Sequence, residues 1–253
     1  MTADPTPTRA TWDQAWEHHY ENPTFHVELM NAVSAVMELR GARTLEVGCG
    51  VAPDSAEMQR RGAAATATDV SHKALKRAQD YAVTQGVEFP VIAVDLFHLP
   101  FPDNTFDLVF SQGLLEHFTD PAAALRDQVR VVRPGGYVCV DVPQTWSLVT
   151  LWKRWHMARG TWFAGWETNF ELNELESLLE RGGLEVVSSY GSMYFPAFPL
   201  LALRNIHTLD DRHHVPVWLP REVKKAVESG WAWLERKRWY YRWMGCIGVI
   251  ARK

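Results

Sequence analysis

The sequence predicts an α/β fold, a doubly wound sheet of seven strands with helices on both faces and aromatic-rich helical insertions. Three observations carry that expectation. Strand-like and helix-like segments alternate along the chain. Short turns rich in glycine and proline separate them. The first strand runs through the pair Gly48 and Gly50 straight into a helix.

The elements follow in order. Met1–Thr8 has no apolar core and reads as a disordered lead-in. From Thr24 to Leu39, apolar residues recur at helical spacing (Phe25, Leu29, Met30, Val33, Val36, Met37) up to Gly41. Thr44–Val47 is the first strand. The helix after it starts at Pro53, where a missing N–H has no partner to lose, and stops at Gly62. Ala64–Thr68 is the second strand and closes on Asp69. Ser71 caps a helix that runs to about Thr84, and Gly86 ends it. Pro90–Val94 is a third strand, closing on Asp95, and Phe106–Ser111 a fourth. Pro121 opens a helix to Val132, broken by Arg133-Pro134-Gly135-Gly136. Tyr137–Val142, Leu184–Ser189 and Cys246–Ala251 complete the seven.

Bulk properties narrow the function classes. The 253 residues fit one domain with insertions. A net charge of -4 argues against general nucleic-acid binding. Cys49, Cys139 and Cys246 have no metal or disulfide spacing and read as reduced, buried thiols of a cytoplasmic protein. No apolar run reaches the roughly 18 residues of a membrane span. Tryptophan is in excess, with 12 copies, most of them after position 145.

Four motifs in order give a resemblance. Leu45-Glu46-Val47-Gly48-Cys49-Gly50 is followed by the acids Asp69 and Asp95. Ser111-Gln112-Gly113-Leu114-Leu115-Glu116-His117 and Arg133-Pro134-Gly135-Gly136-Tyr137 come next. Together they resemble the class I S-adenosylmethionine-dependent methyltransferases, small-molecule type, close to those of ubiquinone and menaquinone biosynthesis. The dinucleotide alternative needs a third glycine where Pro53 stands. The resemblance implies a Rossmann-like, mostly parallel sheet with the last strand antiparallel, forming one methyltransferase domain over residues 1–253. Residues 1–23 would be a flexible lead-in and cofactor lid, and 143–170 and 191–244 substrate-side insertions.

The same resemblance implies the site. S-adenosylmethionine would be the cofactor. Asp69 would accept from its ribose hydroxyls and Val70 would pack on the adenine. Asp95 and the Leu96 N–H would meet the adenine edge. Gly48, Cys49 and Gly50 would admit the methionine tail, with Glu46 on its ammonium. Ser111 and Gln112 would flank the sulfonium, and Tyr20 or His19 would close the pocket. Metal is not expected, because Gly113 stands where the metal-binding relatives carry a second glutamate.

The chemistry would be direct displacement, which needs a general base only for an acceptor protonated at neutral pH. His117 is the candidate for that role, with a packing role as the alternative. The acceptor would be a small, largely apolar or aromatic molecule. One alternative is an isoprenoid quinone or lipid methylated at a membrane surface, suggested by the Trp231–Trp243 stretch that mixes tryptophan with arginine and lysine. Another is a non-catalytic, cofactor-binding subunit. The insertions are equally candidates for a homodimer interface.

Overall fold

Seven strands hydrogen-bond in the order β3-β2-β1-β4-β5-β7-β6. They are β1 (Arg43–Val47), β2 (Ala64–Asp69), β3 (Val91–Ala93), β4 (Phe106–Gln112), β5 (Val132–Pro143), β6 (Glu185–Ser192) and β7 (Cys246–Arg252). The first five run parallel, and β7 is inserted antiparallel between β5 and β6. The computed structural model describes residues 6–18, 25–162, 167–192, 221–222 and 238–253.

The helices are α1 (Arg9–His18), α2 (Val27–Val36), α3 (Pro53–Arg60), α4 (His72–Thr84), α5 (Pro121–Val131), α6 (Leu148–Ala158) and α7 (Leu172–Arg181). They cover both faces of the sheet. On one face α5 and α7 bury Leu125, Leu172, Leu175 and Leu179 against Val109, Val140 and Val249. On the other, α2 and α3 bury Leu29, Met30, Val33 and Met58 against Leu108, Phe110 and Ile250. Over β2 the contact is made by small residues: Ala78 and Ala82 of α4 meet Ala65 and Ala67. Each large aliphatic side chain so buried contributes roughly 1.5–3 kcal/mol.

The structure differs from the sequence reading at three places. Helix α2 stops at Val36 because Met37 is already extended, with φ -151° and ψ 157°. Strand β5 begins at Val132, not Tyr137. Val132 pairs with Phe106, and the register then shifts so that Tyr137 pairs with Leu108. Arg133-Pro134-Gly135-Gly136 is therefore a bulge inside the sheet edge, not a break before it. Within residues 1–23, read as a flexible lead-in, α1 is a packed helix. Its Asp13 accepts a hydrogen bond from Ser71 Oγ at 2.6 Å.

The insertion at 143–170 carries α6, which exposes Leu151, Trp152 and Trp155. Trp166 and Phe163 of that insertion lie outside the described residues, as do Tyr194, Phe195, Phe198, Trp218, Trp231 and Trp233 of the second. No helix among the described residues is long and apolar enough to cross a membrane. None of the three cysteines forms a disulfide; Cys49 and Cys139 are buried and Cys246 half-buried.

One strand contact is unusually tight. Gly248 of β7 lies directly opposite Tyr190 of β6, whose ring covers it. A Cβ there would come within 2.0 Å of Tyr190 Cζ. Gly248→Ala is expected to cost about 1–3 kcal/mol of stability through overpacking. Urea unfolding checks it, and an unchanged midpoint would mean that the Tyr190 ring moves freely.

Candidate active site

The order of strands reverses between β1 and β4, and at that switch point an open α/β sheet offers a crevice at its carboxyl edge. The chain leaves β1 there through Gly48 and Gly50, both left-handed with φ 72° and 54°. The Gly48 and Cys49 N–H groups both donate to the Thr68 carbonyl of β2, at 2.8 and 2.9 Å. A Cβ on Gly48 would stand 2.8 Å from Leu114 Cδ1, and one on Gly50 2.6 Å from the Trp16 ring. Only glycine tolerates both the backbone conformation and the crowding.

Asp69 holds the turn from the other side. Its Oδ2 accepts the Gly50 N–H at 2.9 Å and its Oδ1 the Ser71 N–H at 2.8 Å. Burial pushes the carboxyl up from its ordinary value, while the N–H groups of Ser71, Gly50 and Val70 pull it back. Asp95, just past β3, is exposed. Its Oδ1 accepts the Phe97 N–H at 3.0 Å, and its Oδ2 lies 3.7 Å from His98 Nδ1.

A cavity of about 960 Å³ opens at this edge. Of the residues expected there, Glu46, Gly48, Cys49, Gly50, Asp69 and Val70 line it, as do Asp95, Leu96, Gln112 and His117. Ser111 does not. The pleat of β4 turns it to the face opposite Gln112, where it is fully buried. Tyr20 and His19 lie outside the described residues. Glu46 is buried with Oε2 accepting from the Ser55 N–H at 3.1 Å and from Ser55 Oγ at 2.5 Å. Burial, with the charge of Asp54 adding, raises its carboxyl to about 8.

The cavity also brings together residues that the sequence did not single out. Trp12 and Trp16 of α1 form one wall, Trp12 meeting the His117 ring edge-on at 4.7 Å between centroids. His26 donates its N–H to Asp54 Oδ1 at 2.7 Å and sets Nδ1 2.8 Å from Asp54 Oδ2. Burial opposes a charge on His26, but the hydrogen bond and charge of Asp54 outweigh it, and Asp141 and Glu46 add to them. The imidazole is raised to about 9. At the opposite end, Glu116, Asp141, Lys153, Trp162 and Glu167 converge. Lys153 and Glu167 form a buried ion pair, and Trp162 Nε1 donates to Glu167 Oε1 at 2.6 Å. The two members of each pair are far apart in sequence and lack a local signature. Glu116 had one, its place beside His117.

Burial raises Glu116 to about 8 and Asp141 to about 7. Between the ordinary carboxyl range and these values, the folded protein binds more protons than the unfolded chain. His26 has the same sign between 6.5 and about 9. Stability is therefore fully present at the acid side of this window and is lost as pH rises through it. The ligand-free protein is expected to melt at a lower temperature at pH 9 than at pH 5.5. Calorimetric scans across that range check the sign, and a rising midpoint would contradict it.

The comparisons with known proteins agree with this geometry. A methyltransferase domain model matches residues 45–140. A ubiquinone biosynthesis O-methyltransferase of Rhizobium leguminosarum bv. trifolii is 30% identical over 200 residues, covering 75% of this chain and 74% of the relative. One of Parvibaculum lavamentivorans is 28% identical over 203 residues, covering 73% and 79%. A solved S-adenosylmethionine-dependent methyltransferase of Thermotoga maritima shares the fold, with a TM-score of 0.58 at 15% identity over 96% of this chain and 94% of that one. The residues present fit the cofactor. A bare glycine cradle, buried Asp69 and exposed Asp95 supply the backbone room and acceptor oxygens that its tail, ribose and adenine require. When bound, S-adenosylmethionine supplies an electrophilic methyl group on a sulfonium. The chain belongs to the class I S-adenosylmethionine-dependent methyltransferases.

Proposed function

We propose that this enzyme methylates a hydroxyl oxygen on a small, largely apolar or aromatic acceptor, by direct displacement. The observation that carries the reading is the mixed character of the cavity beyond the glycine turn. Trp12, Phe97, Phe118 and Trp162 offer flat apolar walls, while Glu116 and His117 put hydrogen-bonding groups among them. A ring carrying a hydroxyl matches that combination. The relatives named as ubiquinone biosynthesis O-methyltransferases support oxygen as the methylated atom and a quinone-like precursor as the acceptor type.

The chain's own residues do most of the work by position. In this reading Asp69 holds the ribose diol and Asp95 the adenine amine, and Glu46 faces the ammonium group. Gly48, Cys49 and Gly50 let the main chain approach the methionine tail, and Gln112 flanks the reacting methyl group. The aromatic walls and α1 exclude water and hold the acceptor in line, which is where alignment gains its rate. His117 meets the acceptor beside the reacting group.

A second reading concerns where the acceptor comes from. Helix α6 exposes Leu151, Trp152 and Trp155 beside Arg154 and Arg159, with the Arg159 guanidinium 4.1 Å from the Trp155 ring centroid. Tryptophan with basic residues on one helix suits a membrane interface. An isoprenoid acceptor would then be drawn from a lipid surface. Co-sedimentation with vesicles of anionic phospholipid tests this, and protein left in the supernatant removes it.

A methyl-transfer screen with labelled cofactor against a panel of phenols, catechols and hydroquinols, with amines beside them, tests the main reading. Label is expected on the hydroxyl compounds; label on amines alone would overturn oxygen transfer. Asp69→Ala is expected to weaken S-adenosylhomocysteine binding about 10- to 100-fold, the worth of one or two charged hydrogen bonds. Calorimetry reads it, and unchanged affinity would remove the ribose assignment. His117→Ala should lower kcat while leaving cofactor affinity intact, and a fully active variant would reduce His117 to packing.

A further inference from the structure

The acceptor end of the cavity holds three buried carboxyl groups with different surroundings. Glu167 is engaged by Lys153 and by Trp162 Nε1. Asp141 accepts from Ser192 Oγ at 3.2 Å, and the Tyr190 hydroxyl favours its charged form. Glu116 differs from both. It is 3% exposed, it lines the cavity, and its Oε2 has no hydrogen-bond partner among the described residues.

The local fold holds that oxygen in place. Glu116 belongs to the short 3-10 helix Leu115–His117 that follows β4, and its carbonyl accepts the Thr168 N–H at 2.8 Å. Its Oε1 lies over Gly113, where a Cβ would stand 3.5 Å away at φ +58°. A buried acceptor oxygen left open in a native fold is costly, and such groups concentrate where a ligand completes them. The group missing here is a hydrogen-bond donor arriving with the acceptor.

Resting on the hydroxyl-methylation reading above, we propose that Glu116 is the catalytic residue that receives the acceptor's hydroxyl proton. The acceptor O–H bond breaks and its proton moves to Glu116 Oε2. The acceptor oxygen forms its new bond to the methyl carbon with a lone pair. The old carbon–sulfur bond breaks with its electron pair on sulfur. The products are a methyl ether, a neutral thioether and a protonated Glu116, which loses its proton to solvent as the cavity reopens.

The groups facing Glu116 come from every element around it. They are His117, with Nε2 4.0 Å from Oε1, Asp141 on β5, Lys153 on α6, Glu167 before α7 and the Cys246 thiol on β7. Burial raises the Glu116 carboxyl first. Its own N–H and Lys153 pull it down, and Glu167 and Asp141 push it up, to about 8. The base form therefore grows as pH rises through 8, and turnover grows with it. A base of that strength is better matched to a phenolic proton than an ordinary carboxylate.

Glu116→Gln keeps the shape and removes the base. The rate of methylation of the best acceptor from the hydroxyl panel is measured from pH 6 to 9.5. Infrared titration of the cofactor-free protein follows the protonated carboxyl band over the same range. Wild-type enzyme is expected to show a rising limb near pH 8 and a carboxyl band that disappears through the same interval. In Glu116→Gln the rising limb is expected to be absent and the band to be smaller by the Glu116 share, with what remains coming from Glu46 and Asp141. There kcat is expected to be lower by about 10²- to 10⁴-fold. Near-wild-type turnover with the limb retained, or an infrared band unaltered by the substitution, would overturn the role of Glu116 and leave hydroxyl methylation standing. A wild-type enzyme that methylates amines and no hydroxyl compound would overturn both.

Discussion

Two main-chain N–H groups, of Gly50 and Ser71, converge on the buried carboxylate of Asp69, and the cavity takes its shape from that convergence. The first bond ties the turn after β1 to the end of β2. The second fixes the start of α4, whose cap Ser71 also binds Asp13 of α1. One carboxylate thus connects a strand end, a helix start and the helix that walls the cavity. Without it the Gly48–Gly50 turn would keep main-chain bonds such as those to Thr68 and lose its side-chain tie to the end of β2.

Polarity is divided between the two ends of the cavity by burial. Near the glycine turn, His26 is charged and held by Asp54, so the acids Asp54 and Glu46 sit beside a cation. At the other end, Glu167 takes Lys153, and the charge of His26 reaches only Asp141 of the remaining acids. The surplus acids there respond to low dielectric by holding protons, which is the cheaper solution than an unpaired buried charge. Such groups exchange protons near neutral pH.

The fold is shared with other S-adenosylmethionine-dependent methyltransferases. Residues 45–140 carry the part that matches the methyltransferase domain. Phe97 and Phe118 of the aromatic walls lie within that region, whereas Trp12 comes from α1 and Trp162 and the Lys153–Glu167 pair from the insertion after β5. Acceptor choice in such a fold resides in what is added to the sheet, because the sheet edge is occupied by the cofactor.

The order of elements was legible because helix and strand periodicity and glycine and proline punctuation are local signals. Asp69 and Asp95 were legible for the same reason, each closing a strand a fixed interval after the glycine turn. Ser111 does not line the cavity whereas Gln112 does, because adjacent residues of a strand face opposite ways, and a motif does not say which face the cavity takes. His26 and Asp54, or Lys153 and Glu167, meet only when helices dock, so no window of sequence contains their partnership. From sequence alone came the α/β class and, through the resemblance, the family and its cofactor. Only the tertiary structure decided which polar groups lost their water and which found a partner. Desolvation depends on what packs from elsewhere in the chain, and that is why the burial of Glu116 shows only in the fold.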